Sequence, residues 1–187
     1  MTAKRMVGTI LMIALSAAWS MAQEPTEKEM PPMGAPQQMK ELAFLEGFWN
    51  VDMEWRDNEN PETWNKEKAV CSCKSILSGC AIETKFQGTM MGMPFEGYML
   101  DSYDRDKQQW QSLWIDNMAG KMSFYTGNKD SDKMILTGEE MWQGQKYFSR
   151  ITTFNYTPTS YEWTMENSFD NGQTWQAVGK AKYTKRQ

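Results

Sequence analysis

The chain has 187 residues and a formal net charge of −4, with 24 acidic and 20 basic side chains and no histidine. The absence of His excludes His-ligated haem, imidazole-based zinc sites and catalytic Ser-His or Cys-His pairs. The charges are scattered and form no basic stripe, so we expect neither nucleic acid nor an anionic membrane surface as a partner.

The first 22 residues have the organisation of a secretory signal peptide. Lys4 and Arg5 precede an apolar run from Met6 to Ala18, and Ser20-Met21-Ala22 provides a small-x-small cleavage site. A membrane span would need about 20 apolar residues, which is more than this run offers. We therefore predict cleavage between Ala22 and Gln23, a periplasmic or secreted mature chain, and no membrane span after cleavage.

The rest of the chain divides into a leader and one domain. Residues 23–36 are rich in Pro, Met and Glu without periodicity, which predicts a flexible leader. Residues 37–187 form the predicted β-barrel domain. One short helix is expected at its start, over residues 37–46, where four apolar residues recur at helical spacing: Met39, Leu42, Ala43 and Leu45.

After Gly47 the apolar residues alternate with a period of two, and turn signals interrupt the pattern about every 8–12 residues. The pattern predicts about ten antiparallel strands connected in chain order. A meander of this length exposes two edges unless it closes on itself, so we predict a single all-β, up-and-down barrel rather than a sandwich. The strands are expected near residues 49–55, 63–76, 81–89, 98–103, 109–116, 121–126, 133–141, 146–155, 161–165 and 175–185.

The Gly47-Phe48-Trp49 entry resembles the first strand of lipocalins and their calycin relatives. More specifically, the chain resembles the bacterial domain-of-unknown-function family 1579 in four stretches: Met30–Gly34, Leu45–Trp49, Gly88–Gly97 and Trp114–Met118. The resemblance implies a lipocalin-like barrel whose closed end is plugged by Trp49, and it implies no established activity. Where an Arg and two turn glycines are expected, this chain has Cys73, Cys80 and a single Gly79, so no role of that Arg transfers to it.

The barrel interior is the first candidate site. Aromatic residues in alternating rows are expected to line it: Trp49, Trp114, Tyr147 or Phe148, Tyr161, Trp163 and Trp175. These side chains either fill the lumen themselves or surround an apolar cavity with a few polar groups.

Arg150 is the polar residue that stands out on these strands. If it faces inward, its guanidinium needs Glu96, Asp116 or an incoming carboxylate as a partner. A structural ion pair is the alternative, and an outward direction would remove the ligand contact. The predicted ligand-binding residues are accordingly Arg150, Trp114, Asp116, Glu96, Trp163 and Phe148.

Sulfur-containing side chains suggest a second, weaker candidate site, one for Cu(I). Met90, Met91 and Met93 are grouped in one connection, and Cys71 and Cys73 lie on a nearby predicted strand. Thioethers and thiolates together suit Cu(I), although Met is also a common core filler. The odd set of Cys71, Cys73 and Cys80 leaves both a disulfide and free thiols open. We expect no cofactor.

No catalytic constellation can be assembled from the sequence. The single Ser168-x-Asp170-x-Gly172-x-Thr174-Trp175 motif resembles an Asp-box and is expected to be structural. The leading hypothesis is an exported binding protein for a small apolar or amphipathic ligand. The alternatives are a ligand-free structural or envelope-interaction barrel, a Cu(I)-handling protein and, last, a His-independent enzyme that uses Arg150 and carboxylates.

Overall fold

The computed structural model describes residues 33–186; the predicted signal peptide and the leader up to Pro32 lie outside the described residues. Ten antiparallel strands pair in chain order, and the tenth pairs with the first, which closes the barrel. The predicted ten-stranded up-and-down barrel is thus confirmed. The strands are β1 (Gly47–Arg56), β2 (Trp64–Ile76), β3 (Ala81–Met90), β4 (Met93–Asp104), β5 (Gln109–Asp116), β6 (Met122–Asp130), β7 (Lys133–Trp142), β8 (Gln145–Phe154), β9 (Ser160–Ser168) and β10 (Gln176–Lys185).

Side chains alternate between the lumen and the outer wall. Along β1, Trp49, Val51 and Met53 are buried, whereas Asn50 and Asp52 are exposed. Residues that face each other across neighbouring strands share a face, so one row from every strand lines the lumen. The hydrophobic pattern of the sequence therefore fixes the register all the way around the barrel.

Several neighbouring strands are connected by two-residue turns. Met91 and Gly92 have φ values of 52° and 73°, and Gln143 and Gly144 have φ values of 49° and 81°. Positive φ at both central residues is typical of two-residue hairpin turns, whose twist matches that of the strands. The connection expected over residues 90–94 is therefore only two residues long, and β4 already begins at Met93.

The predicted helix is present as a 3₁₀ helix over Gln37–Leu45. Met39, Leu42 and Leu45 are buried, whereas Ala43 is exposed. A 3₁₀ helix has three residues per turn, so a spacing of three places these side chains in one row against the barrel. Within residues 33–186, no helix has the length and apolar character needed to cross a membrane.

The two ends of the barrel differ. The 3₁₀ helix packs against the end where β1 begins and β10 finishes, and there Lys185 Nζ donates a hydrogen bond of 2.8 Å to the Phe44 carbonyl oxygen. We call this the closed end. The opposite end, which we call the mouth, consists of five connections: residues 57–63, 91–92, 117–121, 143–144 and 169–175.

Candidate ligand-binding site

The closed half of the lumen, defined by Trp49, Cys73, Asp101 and Tyr161, is tightly packed. Trp49 is 0% exposed, and its indole Nε1 donates a hydrogen bond of 2.7 Å to the Leu45 carbonyl oxygen. Its ring meets that of Tyr161 edge to face, with 5.1 Å between the centroids. Trp49 therefore lies where a plug of the closed end is expected.

Burial disfavours charge in the closed half. It raises the pKa of Asp101 to about 6, and a hydrogen bond with Ser112 opposes part of that shift. Burial also raises the pKa values of Tyr161 and Tyr183 well above their usual range, and the two rings stack 4.2 Å apart. This half is thus a packed core in which an ionised side chain is costly.

The cysteines are free thiols and lie apart from the methionines of the Met90–Met93 turn. Cys71 and Cys73 are buried, and the Thr84 hydroxyl donates a hydrogen bond of 3.3 Å to Cys73 Sγ. Cys71 pairs with Phe86, four residues before Met90, a distance of about 13 Å along a strand. Metal–sulfur bonds of about 2.3 Å cannot bridge that separation, so the predicted Cu(I) ligands do not meet in one site.

No other metal site takes their place in the described part of the chain. Within residues 33–186, no group of three or more His, Cys, Asp or Glu side chains is arranged to hold a metal ion. Hydrogen bonding with Cys73, together with burial, raises the pKa of the Cys71 thiol. A buried thiol with a raised pKa is a poor nucleophile and a poor metal ligand.

The mouth half of the lumen, defined by Trp55, Trp114, Glu140, Ser149 and Trp163, is aromatic and only partly buried. All three Trp side chains belong to inner-face rows, yet each is only half-buried. The rings of Trp55 and Trp163 meet edge to face, 5.7 Å apart. In a filled barrel such inner aromatics would be buried, so their remaining exposure leaves apolar surface for a small molecule.

Glycines in the inner wall make room for these indoles. A Cβ at Gly97 would lie 2.2 Å from the Trp114 ring, and a Cβ at Gly179 would lie 2.5 Å from the Trp55 ring. Both distances are well below van der Waals contact, so a side chain at either position would displace the ring. The positions of the two indoles thus depend on these two glycines.

Asp116 holds Trp114 and the adjacent mouth loop in place. Its Oδ2 accepts a hydrogen bond of 2.8 Å from Trp114 Nε1. Its Oδ1 accepts backbone N–H bonds from Met118 at 2.9 Å and from Ala119 at 2.6 Å. Both carboxylate oxygens are therefore engaged within the protein, and Asp116 acts as a positioning residue.

A second carboxylate, Glu140, lies on the inner face of β7 and is 5% exposed. Its Oε2 forms an ion pair with Lys121 Nζ, which also donates a hydrogen bond of 3.2 Å to the Met141 carbonyl oxygen. Burial and the Glu140 charge raise the pKa of Tyr147, and they raise that of Tyr125 to about 12. Two neutral phenols therefore accompany one buried carboxylate.

Four buried polar atoms of the lumen have no hydrogen-bond partner among residues 33–186: Trp55 Nε1, Glu140 Oε1, Ser149 Oγ and Asn167 Oδ1. Ser149 is 0% exposed, and the strand register places it opposite Asn167 on β9. The Ser149 hydroxyl lies close enough to Tyr125 to lower the pKa of that phenol, but the two groups do not reach hydrogen-bond geometry. Each unsatisfied group costs about 1–3 kcal/mol, so a cluster of them needs an explanation.

Arg150, the predicted contact for a ligand carboxylate, faces away from the lumen. It alternates with the fully buried Ser149, and its Nε donates a hydrogen bond of 2.9 Å to Glu166 Oε2. Its guanidinium lies 4.0 Å from the Trp175 ring centroid. The partner is thus Glu166 rather than Glu96 or Asp116, and Arg150 forms a structural ion pair on the outer wall.

Three other predicted residues also lie outside the lumen. Phe148 shares the outward face of β8 with Arg150, under Lys146 Nζ at 5.3 Å. Glu96 is exposed on β4, and Trp175 belongs to the connection before β10. Of the predicted ligand-binding set, only Trp114, Trp163 and Asp116 lie in the mouth half, and Asp116 lies there in a positioning role.

The Asp-box motif is a structural turn at the mouth, as expected. Asp170 accepts hydrogen bonds from the Thr174 hydroxyl, the Thr174 backbone N–H and the Ser168 hydroxyl. These bonds lower the pKa of Asp170 to about 2. Trp175 Nε1 donates to the Gly172 carbonyl oxygen at 3.0 Å, which closes the turn.

Sequence reasoning did not single out Glu140, Ser149 or Asn167. The available signal was alternation, because Glu140 follows the buried Leu136 and Gly138 at steps of two. An acidic residue in an inward row was therefore detectable. The lack of a partner for its second oxygen was not, because it depends on the contacts of four strands.

Two surface depressions lie outside the lumen. The larger, about 540 Å³, is on the outer wall over β1 to β3, and an exposed ion pair of 2.8 Å between Lys68 and Asp52 crosses it. The smaller, about 340 Å³, lies at the edge of the contact between the 3₁₀ helix and the closed end, near Gly79 and Ile82. Neither contains the unpartnered polar atoms, so the mouth half remains the candidate site.

Two solved structures share this fold at low sequence identity. Rv2717c from M. tuberculosis is 9% identical with a TM-score of 0.58, and the match covers 82% of this chain and 99% of that chain. The S-type phycobiliprotein lyase CPES from Guillardia theta is 7% identical with a TM-score of 0.52, and the match covers 79% and 92% of the two chains. At such identities the likeness shows the fold alone.

No curated protein matches the chain. A family model described as "Protein of unknown function (DUF1579)" matches residues 35–185, which is nearly the whole described barrel with its 3₁₀ helix. The chain therefore belongs to the DUF1579 family.

Proposed function

We propose that this protein binds a small amphipathic molecule in the mouth half of its barrel. One observation carries the proposal: half-buried indoles and unpartnered buried polar atoms of the described residues lie in the same half of the lumen. Exposed aromatic surface and unsatisfied polar groups both reduce stability when nothing covers them. A ligand with an apolar body and a polar head would cover both at once.

The fold and the rim of the mouth support the proposal. A barrel of similar form belongs to a phycobiliprotein lyase, so the fold is compatible with a ligand-handling role. Eight of the twelve exposed large apolar side chains of residues 33–186 surround the mouth: Met91, Met93, Met118, Met122, Phe124, Met141, Trp142 and Phe169. Scattered exposed apolar residues are ordinary, but such a concentration gives the entrance of the lumen an apolar rim.

Titration with 1-octanol tests the proposed function. Tryptophan emission and calorimetry should both show saturable binding of 1-octanol to the mature chain. Trp114→Ala should weaken the affinity about tenfold or more, because it removes half-buried aromatic surface from the site. Trp142→Ala is the matched control: this Trp is 62% exposed on the rim, and its loss should change the affinity less than threefold.

Two results would count against the proposed site. Absence of saturable 1-octanol binding would contradict a ligand-binding lumen. Equal weakening by Trp114→Ala and Trp142→Ala would place the binding surface on the rim rather than inside the barrel.

A second candidate function, interaction with an envelope surface through the rim, is favoured by the same exposed apolar side chains. It predicts that the mature chain sediments with neutral phosphatidylcholine vesicles. Replacement of Met91, Met93 and Trp142 by Ser should abolish sedimentation and leave 1-octanol binding within about threefold. If the wild type does not sediment, the rim serves ligand entry alone.

Export is proposed from the sequence alone. N-terminal sequencing of protein recovered from the periplasm or the medium should begin at Gln23. An intact Met1, or recovery only from the cytoplasm, would contradict the proposed signal peptide.

A further inference from the structure

We infer that the ligand carries an uncharged or cationic head group that donates hydrogen bonds, and that an anionic head group is disfavoured. The inference rests on the proposed function and adds the chemical class of the head. Its basis is the hydrogen-bonding character of the four unpartnered buried atoms in the mouth half.

Acceptors dominate this set of atoms. Glu140 Oε1 and Asn167 Oδ1 can only accept hydrogen bonds, and the Ser149 hydroxyl can accept or donate. Trp55 Nε1 is the one obligate donor among the four. A carboxylate or phosphate head offers only acceptors, so it would leave Glu140 and Asn167 unsatisfied.

The charges of the mouth half point the same way. Glu140 and Asp116 place two carboxylates on this side of the lumen, and Lys121 is already paired with Glu140 Oε2. The Tyr125 and Tyr147 hydroxyls are protonated at neutral pH, as phenols ordinarily are, and burial raises their pKa values further. An incoming anion would therefore meet the buried Glu140 carboxylate, whose partner Lys121 is already engaged.

The strand register concentrates the acceptors in one place. Ser149 on β8 lies opposite both Asn167 on β9 and Gly138 on β7. Glu140 lies two residues beyond Gly138 toward the mouth, on the same inner face. The Tyr125 ring fills the space over Gly138, where a Cβ would lie 2.8 Å from Tyr125 Cδ1, and Ser149 is fully buried. A compact head group that displaced the Tyr125 ring would reach these three acceptors, with its chain extending toward the indoles.

Three ligands with the same eight-carbon chain test the head-group class. 1-Octanol and octylamine donate hydrogen bonds, whereas octanoate at pH 7.5 does not. The mature chain should bind 1-octanol and octylamine at least tenfold more tightly than octanoate, measured by calorimetry at one fixed ionic strength. The relative affinities of 1-octanol and octylamine then show whether the site favours a neutral or a cationic donor.

Glu140→Gln provides the decisive variant. It keeps the shape of the side chain but leaves Lys121 without its partner carboxylate, so octanoate binding should strengthen by tenfold or more. Glu139→Gln is the matched control, because Glu139 is the adjacent residue, lies on the outer wall and pairs with Lys146. It should leave the affinities of all three ligands within about threefold.

The outcomes separate this inference from the proposed function. If none of the three ligands binds saturably, the proposed function fails and the head-group class fails with it. If octanoate binds as tightly as 1-octanol, the proposed function stands and the inference is wrong. The inference is also wrong if Glu140→Gln and Glu139→Gln change the octanoate affinity equally. Thermal melting confirms that both variants fold.

Discussion

The closed half and the mouth half of the lumen are built from the same ten strands, yet they treat polar groups differently. In the closed half, Trp49 Nε1 bonds the Leu45 carbonyl oxygen, and the Thr84 hydroxyl bonds Cys73. In the mouth half, buried atoms of Glu140, Ser149 and Asn167 have no partner among the described residues. The polar groups of the closed half thus bond within the protein, whereas these buried atoms of the mouth half have no partner among residues 33–186.

The difference indicates which half of the lumen stabilises the fold and which half is suited to binding. A barrel that is only a scaffold gains nothing from buried unsatisfied groups, because each one lowers the free energy of unfolding. Such groups in a native structure call for a partner from outside the chain, either a bound molecule or an ordered water. We therefore expect the largest losses of stability from substitutions in the closed half, and effects on binding from substitutions in the mouth half.

The largest expected effect is on the plug. Trp49→Ala should lower the free energy of unfolding by about 3–5 kcal/mol, because it empties a fully buried aromatic site. Trp163→Ala, at a half-buried position of the mouth half, should cost about 1–3 kcal/mol. Urea unfolding of both variants measures the contrast. A larger loss for Trp163→Ala would reverse the assignment of the two halves.

Asp101 tests the cost of charge in the closed half. Its native pKa of about 6 lies above the unfolded value of about 4, so the native state binds the proton more tightly. Its contribution to stability is therefore complete below about pH 4 and is lost as the pH rises through 6. Asp101→Asn should raise the free energy of unfolding at pH 7.5 by up to about 3 kcal/mol. It should also reduce the decrease in the free energy of unfolding as the pH rises from 4 to 7.5.

Urea unfolding from pH 4 to pH 7.5 checks the Asp101 prediction. The exposed Asp52→Asn variant is the control and should change stability by less than about 1 kcal/mol. A destabilised Asp101→Asn protein at pH 7.5 would show that the Asp101 carboxylate is needed in its charged form.

Gly97 tests how the mouth half holds its indoles. Gly97→Ala should cost about 1–3 kcal/mol, because the new methyl group would lie 2.2 Å from the Trp114 ring. In a Trp114→Ala background the same change should be nearly neutral. Urea unfolding of the four proteins forms a double-mutant cycle whose coupling energy reports this contact. A coupling energy near zero would mean that the ring does not lie against Gly97.

The smallest expected effect has opposite signs for stability and binding. Ser149→Ala removes a buried hydroxyl that has no partner, so the free energy of unfolding should rise by about 1 kcal/mol. The same variant should weaken 1-octanol binding about threefold to tenfold. A stability loss with unchanged binding would instead make Ser149 a structural residue.

Much of the fold could be predicted from the sequence because it depends on local patterns. Alternation after Gly47, the turn residues and the exposed-edge argument together predict a closed barrel of ten strands. The helix was predicted at the right place. Its 3₁₀ form emerged only from the packing of Met39, Leu42 and Leu45 against the closed end.

The site was harder to predict because it depends on direction and on partners. Arg150 follows Ser149 by one residue, and a shift of one residue moves a side chain to the other face of a strand. Its pairing with Glu166 on β9 requires the register of two strands. The polar cluster likewise requires β1, β7, β8 and β9 to be placed around one lumen.

Fluorine NMR of 5-fluorotryptophan-labelled mature protein, titrated with 1-octanol, tests the division of the lumen most directly. Single Trp→Phe variants assign the resonances. We predict saturable shifts for Trp55, Trp114 and Trp163 and no shift for Trp49 or Trp110, which are buried in the closed half. Shifts of Trp49 and Trp110 with unchanged mouth resonances would contradict the account.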